Sequence, residues 1–119
     1  MKNLKMTIAL VMMLAIFTSF QANAQSKKSQ TESFKVWGNC GMCEKTIEGS
    51  LEINGVSKAK WNQETKMITV SFNSKEITLA QIHKKIASVG YDTELETASD
   101  EVYNNLHGCC KYERKTKKQ

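Results

Sequence analysis

The stretch Phe34-Lys35-Val36-Trp37-Gly38-Asn39-Cys40-Gly41-Met42-Cys43-Glu44-Lys45-Thr46-Ile47 carries the key to this chain. Phe34 and Val36 alternate with Lys35 and Trp37, the period of a half-buried strand, and Gly38-Asn39 supplies turn residues. From about Gly41 a helix is expected, with Cys43, Ile47 and Leu51 four apart on one stripe and Asn54-Gly55 as its stop. Two cysteines therefore stand where a strand turns into a helix. The first helical turn has unpaired backbone N–H groups and the positive end of the helix dipole, which favour thiolate over thiol. Thiolates bind soft metal ions and attack disulfides, so the stretch points to one of these two chemistries.

Beyond it, Val56, Ala59 and Trp61 mark a second strand, although their alternation is imperfect. Asn62 to Thr65 reads as a turn, and Ile68, Val70 and Phe72 alternate cleanly in a third strand. Thr78 with Gln81 resembles a capping box, opening a helix whose Leu79, Ile82, Ile86 and Val89 share one face. Gly90 closes that helix, and Tyr91, Thr93 and Leu95 predict a fourth strand. The order predicts an α+β fold, a ferredoxin-like βαββαβ sandwich with an antiparallel sheet and both helices on one face. Thr97 to Asp100 reads as a linker or cap. Glu101 to His107 predicts a short C-terminal helical extension, with Val102 and Leu106 available to dock and Gly108 as its end.

Residues 1–24 have the features of a signal peptide. Lys2 and Lys5 precede an apolar run from Ile8 to Phe17, and Ala22-Asn23-Ala24 offers a cleavage site before Gln25. The apolar run is too short to span a bilayer, which needs roughly 20 residues. The first cysteine after it is Cys40, so no lipid-modified cysteine is expected at the cleavage site. A periplasmic or secreted protein follows, in which 25–31 is a flexible leader, 32–96 the folded domain and 97–119 an extension. The whole chain carries +5, and removing Lys2 and Lys5 leaves +3, concentrated at Lys111, Arg114, Lys115, Lys117 and Lys118. These read as a solvated, frayed tail. Nucleic-acid binding is not expected, because aromatics do not interleave with the basic residues.

All four cysteines follow the signal segment, as two tight local pairs, Cys40/Cys43 and Cys109/Cys110. Adjacent cysteines bridge each other only with strain, and local pairs close loops too short to stabilise a fold much. Metal binding or redox chemistry accounts for them better than a disulfide framework.

The residues from about Glu32 to Glu96 resemble the heavy-metal-associated domain of copper chaperones, metal-pump N-terminal domains and periplasmic mercuric-ion-binding proteins. The resemblance rests on Phe34-x-Val36, Cys40-x-x-Cys43, Ile47, Leu51, Gly55-Val56, Ala59, Val70 and Gly90-Tyr91-Asp92. It implies that Cys40 and Cys43 bind the metal and that Tyr91 lies near it. Members usually place a buried Met two residues before the first cysteine. Here that position is Gly38, which predicts a looser loop.

Soft sulfur ligands select Cu(I), Hg(II) and, with more ligands, Zn(II) or Cd(II), and the resemblance puts Cu(I) first. Two thiolates leave the ion open to an incoming partner thiolate, as transfer to a membrane metal transporter or a metal-accepting protein requires. The rival class is a thiol–disulfide oxidoreductase, since CxxC at a helix start is also the thioredoxin arrangement. Thioredoxin-like folds set a cis-proline against that pair, and this chain has no proline.

His107-Gly108-Cys109-Cys110 is a second concentration of soft ligands. Three arrangements stay open for it: a second metal site, ligands that fold back to complete the Cys40/Cys43 site, or a thiol reserve for oxidation. His83, Met42, Trp37 and Trp61 read as packing or surface residues. No phosphate loop, nucleophile–base motif or paired-carboxylate pattern is present, so an enzyme is not expected.

Overall fold

The structure, a computed structural model, describes residues 29–116. The expected signal peptide and Lys117 and Lys118 lie outside the described residues. Three strands form an antiparallel sheet in the order β1-β3-β2: β1 (Ser29–Lys35), β2 (Val56–Trp61) and β3 (Met67–Asn73). Helices α1 (Gly41–Ser50) and α2 (Leu79–Ser88) follow the first and third strands, and a short helix α3 (Asp100–Asn104) and a 3-10 turn (Gly108–Cys110) close the chain.

The apolar alternation places Phe34, Ile68, Val70 and Phe72 in one core with Ile47 and Leu51 of α1 and Ile82 and Ile86 of α2. On the opposite face, hydroxyl pairs ladder β1 to β3, Thr31 with Ser71 and Ser33 with Thr69, each at 3.0 Å. Ser29, Gln30 and Thr31, assigned from sequence to a flexible leader, pair with Asn73, Phe72 and Ser71. The imperfect alternation of the second strand has a structural cause. Its register shifts between Val56 and Lys58, so the side-chain phase changes there.

Helix α1 stops at Ser50, earlier than Asn54-Gly55 implied. Leu51 N–H bonds Glu48 O and Glu52 N–H bonds Gly49 O, a tighter 3-10 pattern that ends the helix. Gly55 then takes φ +95 in the turn into β2. The capping box at α2 forms, with Gln81 N–H on Thr78 Oγ1 at 3.2 Å and Gln81 Oε1 accepting from Thr78 N–H at 2.9 Å.

The fourth strand shrinks to a single bridge, Val36 opposite Thr93. The chain turns there because Thr93 Oγ1 accepts from Glu96 N–H at 3.0 Å and Thr93 N–H donates to Glu96 O at 2.8 Å. Leu95, expected to alternate inward, is consequently 65% exposed. His83, from α2, packs beneath this turn. Its ring stacks on Phe34 at 3.9 Å and its Nδ1 lies 2.6 Å from Thr93 Oγ1.

The loop before Cys40 is braced, not loose. A Cβ on Gly38 would lie 2.8 Å from a Trp61 ring carbon, so the indole already fills the space beneath the loop. Trp61 is 1% exposed and its Nε1–H donates to Val36 O at 3.1 Å, which ties the ring to the loop it supports.

The C-terminal extension is not a frayed tail. Tyr103 and Leu106, half-buried, pack against the core, and Val102, also half-buried, is not part of that packing. Tyr112 is buried, stacks on Tyr91 at 5.4 Å, donates its hydroxyl to Gly90 O at 2.7 Å and accepts from Asp92 N–H at 2.9 Å. Asp92 is fully buried, and Arg114 grips it through Nε at 3.0 Å and Nη2 at 2.9 Å. Lys115 Nζ donates to Thr93 O at 2.7 Å and Glu96 O at 2.9 Å. Burial would push the Asp92 carboxyl up, but the Arg114 guanidinium and the Ala98 N–H outweigh it and hold the carboxyl below its ordinary value.

Gly38→Ala should destabilise the protein by about 1–3 kcal/mol in urea unfolding, because the new methyl meets the indole. Trp61→Gly/Gly38→Ala should unfold at a midpoint no lower than Trp61→Gly alone. Arg114→Ala leaves a buried charge unpaired and should cost about 3 kcal/mol at pH 7. In the wild type, Asp92 contributes stability above an unfolded-state pKa of about 3.9 and loses it as pH falls through its lower folded-state value. The gap between variant and wild type should therefore narrow below about pH 4, since protonation removes the unpaired charge. A gap of equal size at pH 3 and pH 7 would contradict this assignment.

Candidate metal centre

Cys40 stands at the N-cap of α1 with extended backbone, φ −138 and ψ −177, and its carbonyl accepts the first helical bond from Glu44 N–H. Its sulfur makes no capping hydrogen bond but stands beside the N–H groups of the first turn. Those of Cys43 and then Met42 lower the thiol's pKa, against a smaller opposing effect of burial. Cys43 lies one turn on, faces the core and is fully buried beside Ile47. The two sulfurs are 4.0 Å apart.

A third sulfur comes from the end of the chain. The 3-10 turn, closed by Cys110 N–H on His107 O at 2.8 Å, brings Cys110 against the start of α1. The sulfurs of Cys40, Cys43 and Cys110 all lie within 4.8 Å of one another. Cys110 is 3% exposed, and burial pushes its thiol up to about 12. The backbone seals the join: Asn39 Nδ2 donates to Cys109 O at 3.1 Å, and the Cys40 thiol points to the same carbonyl at 3.5 Å.

The remaining candidates stand at or beyond the edge of this cluster, Cys109 Sγ lying 3.9 Å from Cys110 Sγ. Cys109 is exposed and turns its sulfur outward to Met42 Sδ, 3.2 Å away, so Met42 has a contact that sequence did not foresee. His107 caps the 3-10 turn, is exposed, and stands outside the three-sulfur cluster. Tyr91 is fully buried, and among the described residues its hydroxyl has no well-formed hydrogen bond. Burial raises the phenol's pKa, and the neighbouring sulfurs of Cys43 and Cys110 act in the same direction. All four cysteines are free thiols.

Several residues that shape this site escaped sequence reading. Tyr112 and Arg114 hold the extension against Asp92 of the Gly90-Tyr91-Asp92 motif, but they lie far from it in sequence and follow no motif of their own. A usable signal was present in the extension: Tyr103, Leu106 and Tyr112 are apolar or aromatic residues that a solvated tail does not need.

Residues 39–92 match the heavy-metal-associated domain. The mercuric transport protein periplasmic component of Shewanella putrefaciens is 33% identical over 91 residues, covering 76% of this chain and 97% of that protein. A zinc-transporting ATPase of Synechocystis sp. is 36% identical over 69 residues, 56% of this chain but only 10% of the ATPase, so the chain spans about a tenth of that relative. Among solved structures, the CopZ metallochaperone superposes with a TM-score of 0.52 at 30% identity, covering 54% of this chain and 98% of that one. Oxidized MerP from Ralstonia metallidurans superposes at 0.53 and 28% identity, covering 56% and 94%.

The chain belongs to the heavy-metal-associated domain family, whose members are metal-binding chaperone and carrier domains and not catalytic enzymes. With its cysteine cluster at the start of α1, this domain binds soft metal ions.

Proposed function

We propose that this protein is exported and carries a single soft metal ion, Cu(I) before Hg(II), Zn(II) or Cd(II), between a donor and a membrane metal transporter. Cys40 and Cys43 are the ligands that accept and release it. The observation that carries this reading is the pair of sulfurs 4.0 Å apart at the first turn of α1, one of them bearing a lowered pKa. The lowered pKa of Cys40 favours it as the first sulfur to bond, and Cys43 closes on the ion from the buried side. Cys40 is the more open of the two, so a partner's thiolate would enter there and displace one bond at a time.

The likeness to the CopZ metallochaperone supports copper. The aligned length with the mercuric transport component, 91 residues against the 54 of the matched domain, supports the export reading and keeps Hg(II) as the second cargo. Members of the family being carriers, the oxidoreductase reading falls behind the metal reading.

Reduced protein titrated with Cu(I) against a chromogenic chelator should bind one equivalent, and Cys40→Ser/Cys43→Ser should bind none. Insulin reduction by the wild type should stay at background. Reductase activity without competition for Cu(I) would reverse the order of the two chemistries. Mass spectrometry of protein recovered from outside the cytoplasm should find Gln25 at its N-terminus.

A further inference from the structure

Resting on the metal reading above, we infer that Cys110, returned by the C-terminal extension, is a third thiolate ligand, making a site for a soft cation that accepts three sulfurs in one plane.

The spacing of the sulfurs is the first support. A metal–sulfur bond of about 2.3 Å sets two sulfurs about 4.6 Å apart across a linear ion and about 4.0 Å apart around a trigonal one. Cys40 and Cys43 stand at 4.0 Å, and Cys110 joins them within 4.8 Å. The first pair already stands at the trigonal spacing, and the third sulfur reaches it by a shift of less than about 1 Å.

The second support is Tyr91. A buried hydroxyl without an acceptor costs about 1–3 kcal/mol, and native cores seldom keep one unless something uses it. Among the described residues this hydroxyl has no well-formed hydrogen bond, and the thiols that act on it are those of Cys43 and Cys110. A neutral thiol is a weak acceptor, but a thiolate bound to a cation is a good one. Ion binding removes the thiol protons to solvent and gives the stranded O–H an acceptor at the place where it already lies.

The ordinary alternative is that Cys110 is a small core residue, since free cysteine packs well. That leaves the Tyr91 hydroxyl unexplained. It also leaves unexplained why Tyr112, Arg114 and Lys115 clamp the extension so that this residue, and not the exposed Cys109, meets the other two sulfurs. A third ligand gives the clamp a function. It holds the ion more firmly than two thiolates, and release to a partner requires the Cys110 bond to open.

X-ray absorption at the copper edge tests the idea on the reduced, Cu(I)-loaded chain. Three sulfurs are expected in the wild type and in Cys109→Ser, and two in Cys110→Ser and Cys110→Ala. Affinity in chelator competition should fall about 10- to 100-fold in the Cys110 variants, at least the effect of losing an outer-shell partner. Two sulfurs in the wild type would overturn the third-ligand assignment without touching the Cys40/Cys43 reading, and that measurement needs no variant to fold. Undiminished copper binding by Cys40→Ser/Cys43→Ser would instead remove the reading on which it rests.

Discussion

Asp92 carries a carboxylate into a position with no exposure to water. Such a charge is tolerated only when it is paired and hydrogen-bonded, and its partners here come from the far end of the chain. Arg114 takes both oxygens, the Ala98 N–H takes one, and the Asp92 N–H and the Gly90 carbonyl are both held by the Tyr112 hydroxyl. This arrangement fixes residues 111–115 against the loop that follows α2. Cys110 lies immediately before that clamp, so its position at α1 follows from the pairing of one acid.

The same acid sits beside Tyr91 in the Gly90-Tyr91-Asp92 loop, so one short segment serves the core and the sulfur cluster together. Tyr91 stacks its ring on Tyr112, while Asp92 holds the clamp and its carbonyl accepts from Trp37 N–H at 2.9 Å. The start of the cysteine loop is thereby tied to the end of the domain. Below, Trp61 fills the space that a larger residue at position 38 would need. The loop carrying Cys40 is thus supported from two sides where it enters α1.

Much of this could be read from the residues alone. Cys40-x-x-Cys43 between an alternating strand and an amphipathic helix named both the fold and the sulfur pair, because local periodicity and capping are properties of neighbours in sequence. The Thr78/Gln81 box and the Gly90 stop were legible for the same reason. Where the reading failed, a distant contact had overridden a local preference. Tyr91-x-Thr93-x-Leu95 alternates like a strand, yet the Thr93–Glu96 bonds turn it after one bridge. The basic tail reads as solvated until Asp92 draws Arg114 inward.

What the sequence determined by itself was the element order, the apolar stripes and the placement of two thiols on the first turn of a helix, since each depends on spacings of a few residues. What only the tertiary structure decided was the fate of His107-Gly108-Cys109-Cys110. Cys110 turns inward, Cys109 turns out, and His107 stays apart. Those directions are set by partners about 15 to 70 positions away, among them Asp92, Gly90 and Asn39, and no spacing within the motif encodes them.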